Sequence, residues 1–192
     1  MEAKESTRTR IGCSRMEKKY EWKDHVIFMG ILLAMAVWVN RGIEIKGLYM
    51  DDLYFWSCYG EQSFLQYVFP VGSTRFRFLY YLAAWLEMAV VRNHVGWFVP
   101  FNILLNAAVS WSIYFIGRRL SRAKGIGFLC GSMFLISRMA YYQIGQVLGL
   151  METMALWMAV MILWYLFRYL NEKDSHVYFY LSCVLYFGVC FV

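Results

Sequence analysis

The chain has 192 residues, of which 60% are hydrophobic, 20% aromatic and 17% charged, with a mean hydropathy of +0.44. This composition is too apolar for a soluble domain of that length and favours an all-α polytopic membrane protein. The net charge of +6 lies in basic clusters beside apolar stretches, which indicates contact with anionic lipid headgroups and excludes a nucleic-acid partner, while the scattered Cys and His residues lack metal-ligand spacing.

The apolar pattern divides the chain into residues 1–24, a polar cytoplasmic segment, and residues 25–192, a transmembrane domain with a long outer loop at 41–95. About five apolar stretches approach the roughly 20 residues that cross about 30 Å of hydrocarbon. These predicted transmembrane helices are 26–40, 96–117, 125–142, 153–170 and 177–192.

Basic residues predict the orientation, because short cytoplasmic loops carry an excess of Lys and Arg. The N-terminal segment is basic, and basic turns lie at 118–124 and 168–173. All three regions lie on the cytoplasmic side only if a single crossing separates the 41–95 loop from the turn at 118–124. We therefore expect a multi-pass protein of the cell inner (plasma) membrane with a cytoplasmic N-terminus.

This orientation requires that Phe78–Val91 does not cross the membrane. The segment is short, contains Glu87 and has Arg residues on both sides, which is typical of a helix in the membrane interface. The alternative is a short true span, which would place the turn at 118–124 outside.

An acidic pair opens the outer loop, where Asp51 and Asp52 follow the first span and precede aromatic residues. If a helix begins here, either carboxylate can cap it. Successive helical residues point about 100° apart, so one acid can face a cleft while its neighbour orients it or holds a metal. A cleft-facing carboxylate beside a second one can act as a general base on a hydroxyl. The residues alone leave both interpretations open.

The order of these features resembles the N-terminal part of the GT-C membrane glycosyltransferases, which include dolichyl-phosphate-mannose protein mannosyltransferases and bacterial polyprenyl-phosphate sugar transferases. The resemblance covers roughly residues 26–192 and implies a GT-C-like fold with interfacial helices in the first outer loop. The matching pieces are Met-Asp-Asp-Leu-Tyr at 50–54, Arg-Phe-Arg-Phe-Leu-Tyr-Tyr-Leu at 75–82, Ile-Gly-Arg-Arg-Leu at 116–120 and Ser-Arg-Met-Ala-Tyr-Tyr at 137–142.

The resemblance implies transfer of a sugar from a polyprenyl-phosphate-linked donor to an acceptor on the outer face of the membrane. Asp51 or Asp52 would deprotonate the acceptor hydroxyl, or would hold a divalent metal where a family member uses one. The leaving phosphate gathers negative charge that Arg guanidinium groups can meet, and the candidates are Arg75, Arg77 and Arg138. For Arg75 and Arg77 the alternative is snorkelling toward lipid headgroups.

A second polar group lies at the outer end of the third and fourth spans, and Gln143 and Gln146 would share a face if the stretch is helical. That face can approach the sugar or the acceptor, and the alternative is hydrogen bonding between helices beside an aromatic belt. Asn102 and Asn106 are predicted to hold helices together. The substrate-side candidates are Tyr54, Tyr142, Gln143, Gln146 and Glu152.

Family members carry more spans, and this chain stops within an apolar run, which predicts truncation at the C-terminus and a missing part or a partner chain. A non-enzymatic integral membrane protein or a degenerate remnant is the alternative function. A membrane transporter is the third choice, because its class needs polar residues or broken helices at the bilayer midplane, whereas here the charges lie at the interfaces.

Overall fold

The structure is a computed structural model that describes residues 22–45, 48, 51–70, 77–91, 94–146, 149–172 and 176–192. The regular elements in these ranges are all helices, which confirms the all-α class. In chain order they are α1 (Trp22–Val39), α2 (Asp51–Cys58), α3 (Phe64–Val68), α4 (Phe78–Val91), a 3-10 turn (Val95–Trp97), α5 (Phe98–Ser121), α6 (Lys124–Leu135), α7 (Arg138–Ile144), α8 (Leu150–Asn171) and α9 (His176–Val189).

Three of the helices are long and apolar enough to cross a membrane: α1, α5 with its preceding 3-10 turn, and α8, with 18, 27 and 22 residues. The helices α6 and α9 have 12 and 14 residues. At 1.5 Å per residue they are about 18 and 21 Å long, shorter than the roughly 30 Å hydrocarbon core. The structure therefore describes a helical protein with three candidate spans, and the full count of about five stays a prediction.

The stretch at 125–142, predicted as one span, forms two helices. The first ends at Leu135, and Ser137 has an extended backbone with φ −73° and ψ 152°. Its hydroxyl accepts a hydrogen bond from the backbone N–H of Ala140 at 3.2 Å and so caps α7. A serine at this position satisfies a free N–H group of the new helix, which makes the break stable inside an apolar run.

The helices α5 and α6 form an antiparallel hairpin held by close backbone contact. A Cβ atom on Gly127 would lie 2.5 Å from the carbonyl oxygen of Tyr114 and 2.7 Å from the backbone nitrogen of Arg118. One turn further along α6, the hydroxyl of Ser110 donates to the carbonyl of Gly131 at 3.0 Å. Small residues at this spacing allow two helices to approach closely, so the hairpin is tightly fixed.

The helix α1 packs on this hairpin. Its Leu32 and Ala36 are fully buried against Ala107 and Tyr114 of α5. The indole N–H of Trp111 also donates to the carbonyl of Met29 at 3.0 Å. Because most of the remaining α1 surface is apolar and exposed, it suits contact with lipid.

One end of the bundle, here called the basic end, collects the predicted basic segments. Asp24, near the start of α1, pairs with Lys124 at the start of α6. Arg118 at the end of α5 hydrogen-bonds to the ring of His25. The pKa of Glu172, just after α8, is lowered mainly by its hydrogen bond from Arg168 and to a smaller degree by the charge of Arg119. The start of α1, the turn at 118–124 and the end of α8 therefore lie at the same end, as the orientation argument requires.

The opposite end carries a cluster of large side chains, here called the aromatic layer, formed by α2, α3, α4 and the starts of α5 and α8. Both ends of α4 lie in this region: the backbone N–H of Tyr80 donates to the carbonyl of Phe191 at 3.4 Å, and Val91 shares a buried cluster with Phe98. A helix that begins and ends at one end of the bundle agrees with the predicted interfacial helix. The layer's buried members are Phe55, Cys58, Tyr67, Tyr80, Ala84, Met88, Val91 and Phe98.

Candidate functional site

The acidic pair lies where a helix begins, because α2 begins at Asp51. The side chain of Asp51 is outside the described residues. Asp52 lies half-buried in the first turn of α2. The positive end of the helix dipole stabilises a carboxylate at this position. The interpretation of the acidic pair as a helix cap therefore remains physically reasonable.

A second carboxyl group, on Glu87 of α4, lies close to Asp52 in space. Glu87 is 3% exposed, and within the described part of the chain neither of its oxygens has a hydrogen-bond partner. Burial, together with a smaller effect of the negative charge of Asp52, raises the pKa of Glu87 to about 8. At neutral pH Glu87 is therefore protonated, as expected for a buried carboxyl group beside a second one.

Buried aromatic rings of the layer lie near Glu87 and lower the local dielectric. The ring of Phe55 lies 5.2 Å from that of Tyr80 and 5.9 Å from that of Tyr67, both edge to face. The hydroxyl of Tyr67 donates to the carbonyl of Phe55 at 3.3 Å, and burial raises the pKa of Tyr67 so that it stays neutral. Charges interact more strongly in such surroundings than in water, which strengthens the coupling of Asp52 to Glu87.

Among the predicted phosphate-binding residues, Arg77 lies beside the aromatic layer. Its guanidinium donates to the sulfur of Met151 at 3.3 Å, and Met151 packs on the layer. A thioether sulfur is a weak acceptor. Arg77 therefore has no carboxylate partner in the part of the chain that the structure describes, while Arg75 lies outside it.

The predicted residue Arg138 lies elsewhere, on α7, which packs against α5, α6 and α8. Its guanidinium donates to the hydroxyl of Tyr142 at 2.9 Å and lies 5.2 Å from the centre of that ring. Both side chains are exposed. Arg138 and Tyr142 thus lie on α7, whereas Asp52 lies on α2, and no described contact joins them.

Gln143 and Gln146 were expected to share a face only if their stretch is helical, and the helix does not reach Gln146. The helix α7 ends at Ile144, so Gln146 lies beyond it and is exposed, whereas Gln143 is 1% exposed. Neither amide atom of Gln143 has a hydrogen-bond partner among the described residues. A buried amide without partners is costly, so Gln143 marks a place where a further polar group is expected.

The two asparagines of α5 differ in what they bind. The amide of Asn102 donates to the carbonyl of Gln146 at 2.8 Å, which links α5 to the segment after α7. The amide of Asn106 donates to the carbonyl of Asn102 at 3.2 Å, within its own helix. Among the described residues neither side-chain amide donates to a second helix, so the predicted contact between helices stays a prediction.

The first turn of α8 lies between the two polar groups. Met151 contacts Arg77 on one side, and the backbone of Gly149 lies against that of Gln143 on the other. The substrate-side candidate Glu152 belongs to this turn. The candidate Tyr54 is exposed on α2, beside Phe55. Both candidates thus lie near the aromatic layer.

The part of this site that sequence reasoning missed is Glu87. Its presence in an apolar segment indicates an interfacial helix but no chemical role. The sequence does contain one indication of a role for Glu87, because it is the single carboxylate among the 14 residues of α4. The sequence could not predict that Asp52 is its neighbour, because only the packing of α4 near α2 brings the two residues close together.

The described residues do not form a metal site by themselves. Within the described ranges no group of three or more His, Cys, Asp or Glu residues could hold an ion. Asp52 and Glu87 offer two carboxyl groups, whereas hard divalent cations take about six oxygen ligands. The reaction steps proposed for this site use no metal ion.

Comparison with known proteins found no match: no protein-family model, no curated protein and no solved structure is similar to this chain. The class that the structure defines is therefore a helical protein with three helices able to span a membrane. Any activity must be argued from the geometry at the two ends of the bundle.

Proposed function

We propose that this chain is a membrane glycosyltransferase of the GT-C type, which transfers a sugar from a polyprenyl-phosphate donor to an acceptor hydroxyl. The observation that carries the proposal is the coupled pair Asp52 and Glu87 inside the aromatic layer. A carboxylate beside a protonated partner in an apolar enclosure is a suitable general base.

The position of the pair supports an outer-face reaction. The basic end holds the cationic turns, which favour the cytoplasmic side. The aromatic layer, at the other end of the bundle, then faces the outer leaflet. Tyr and Trp side chains in this layer suit the headgroup region, where a lipid-linked sugar would lie.

The chemistry assigns a separate role to each carboxyl group. Asp52 accepts the proton of the acceptor hydroxyl while that oxygen bonds to the anomeric carbon of the sugar. The bond from this carbon to the phosphate oxygen breaks, and its electron pair leaves with the polyprenyl phosphate. Glu87, protonated at neutral pH and without a hydrogen-bond partner among the described residues, donates a hydrogen bond to a sugar hydroxyl.

The leaving phosphate requires a cation, and Arg77 meets this need in the proposal. Its guanidinium contacts only a weak sulfur acceptor among the described residues, so its other N–H groups stay available for phosphate oxygens. A guanidinium fork suits such oxygens better than a lysine ammonium does. The adjacent Arg75 remains a second candidate.

The direct test is transfer of radiolabelled mannose or glucose from a polyprenyl-phosphate donor in membranes that carry the protein. We expect Asp52→Asn to lower the rate about 100-fold or more, because general-base catalysis contributes roughly 10²–10⁴. The matched control is Glu61→Gln, which removes an exposed carboxylate from the turn after α2 and leaves the rate unchanged. Equal rates for Asp52→Asn and wild type at matched expression would show that Asp52 only stabilises the start of α2.

A further inference from the structure

A groove at the basic end has a different chemistry from the site in the aromatic layer. It has a volume of about 1070 Å³ and lies between the C-terminal halves of α5 and α8. Its inner limit is at Ser112, whose hydroxyl accepts a hydrogen bond from the indole N–H of Trp157 at 2.9 Å. From Ser112 to Arg122 the groove extends about 15 Å along α5, half of the roughly 30 Å hydrocarbon core. Its depth thus matches one leaflet of a bilayer.

The groove is amphipathic along this length. Its inner walls carry Phe115, Ile116 and Met161, whereas its mouth carries arginines from both helices. Apolar walls with a cationic mouth match the order of groups in a lipid, from acyl chain to phosphate.

Two of the arginines at the mouth of the groove remain able to bind a ligand. Arg168 is satisfied by Glu172, to which it donates two hydrogen bonds of 2.8 Å. Arg118 binds the ring of His25. Arg119 and Arg122 form no hydrogen bond or close ion pair with any described residue, although Arg119 lies near enough to Glu172 to lower its pKa. The mouth therefore holds a surplus of positive charge.

The backbone at Arg122 gives independent support. Its φ of 57° is in the left-handed region, just after the last residue of α5, where glycine is the usual residue. An arginine there is less favourable than a glycine, because its Cβ atom is crowded in this conformation. A strained backbone that directs a charge toward a groove is the kind of outlier found at binding sites.

We propose that this groove binds one anionic glycerophospholipid from the leaflet at the basic end, with its phosphate between Arg119 and Arg122. One acyl chain lies along Phe115 and Met161 in the inner part of the groove. Two guanidinium forks can hold a phosphodiester through paired hydrogen bonds. A zwitterionic lipid, whose headgroup adds a positive charge near these arginines, binds more weakly.

The test uses the purified full chain in a nonionic detergent, titrated with phosphatidylglycerol or phosphatidylcholine and followed by native mass spectrometry. We expect Arg119→Gln and Arg122→Gly each to weaken phosphatidylglycerol binding about fivefold, and the double variant roughly twentyfold. Phosphatidylcholine binding stays unchanged. Arg122→Gly keeps the fold, because glycine suits the left-handed backbone.

Two further variants separate a built groove from general attraction to a basic surface. Lys23→Gln removes an exposed charge at the same end but outside the groove, and it leaves lipid binding within about twofold of wild type. Ile116→Trp fills the apolar part without changing charge and abolishes phosphatidylglycerol binding, at an unfolding temperature close to that of wild type.

The proposal is overturned if phosphatidylglycerol and phosphatidylcholine bind equally, or if Lys23→Gln weakens binding as much as Arg122→Gly does. It is also overturned if inorganic phosphate binds as tightly as the lipid, since the site would then recognise a free anion. Retained lipid binding in a folded Ile116→Trp variant would place the lipid elsewhere on the protein.

Discussion

Glu87 makes the stability of the aromatic layer depend on pH. Its pKa is about 8 in the folded protein and near 4.5 in its ordinary state. Between these values the unfolded chain releases a proton that the folded chain keeps, so stability falls as pH rises through this window. We expect a loss on the order of 4 kcal/mol across it, which Glu87→Gln removes.

The measurement is the midpoint of thermal unfolding in detergent from about pH 5 to pH 9 for wild type, Glu87→Gln and the control Glu61→Gln. Wild type and Glu61→Gln lose stability as pH rises, while the Glu87→Gln curve is flatter. Parallel curves for all three proteins would mean that Glu87 is ionised in the folded state, and its role as a proton-holding partner of Asp52 would then be wrong.

At the level of single residues, the sequence predicted candidate groups but not their neighbours. Asp52 and Arg77 stand out as candidates, because charges beside membrane spans are costly and few. The closeness of Asp52 to Glu87 was not predictable, since it depends on how α4 packs beside α2. The burial of Gln143 was not predictable either, because it depends on how α7 packs against its neighbouring helices.

At the level of elements, the contact between α5 and α6 depends on Gly127. A Cβ atom there would meet backbone atoms of Tyr114 and Arg118, which cannot rotate away. We expect Gly127→Ala to lower the unfolding free energy by about 1–3 kcal/mol through overpacking. The control is Gly125→Ala on the same helix, because its Cβ would have no neighbour within 4 Å and alanine favours a helix.

Thermal unfolding of both variants in detergent measures this difference directly. A midpoint for Gly127→Ala equal to that of Gly125→Ala would show that the two helices are not in backbone contact at this position. The position of α6 at the basic end would then depend on other contacts, such as the ion pair between Asp24 and Lys124.

The long helices were predictable, because an apolar run of that length rarely forms any structure other than a membrane helix. The division of 125–142 was not, since the cap formed by Ser137 is one local hydrogen bond within an apolar stretch. Length alone also does not distinguish α4, which is predicted to lie in the interface, from α9, since each has 14 residues. Their difference lies in where their ends pack, which only the tertiary structure defines.

At the level of the whole molecule, α5 and α8 run from the aromatic layer to the basic end, and α1 and α6 begin at the basic end. The helix α9 begins beside α8 at the basic end, where Arg168 lies 4.1 Å from the ring of Tyr178, and the chain then reaches Tyr80 through Phe191. Both proposals depend on this arrangement, because it assigns the acidic pair and the lipid groove to opposite leaflets.

Labelling with a membrane-impermeant maleimide tests this arrangement in intact cells. Reporter cysteines are placed at Glu61, in the turn after α2, and at Asn171, the last residue of α8. We expect Glu61→Cys to react in intact cells and Asn171→Cys only after permeabilisation, because the basic end favours the cytoplasm. The background variant replaces the native cysteines Cys13, Cys58, Cys130, Cys183 and Cys190 with alanine.

Each alternative labelling pattern has its own meaning. Reaction of both positions from the same side would contradict the path of the chain between the two ends, and with it the separation of the two sites. Reaction of Asn171→Cys alone in intact cells would keep that path but invert the orientation. The acidic pair would then face the cytoplasm, where a base acting on outer-face acceptors has no substrate, and the lipid groove would open to the outer leaflet.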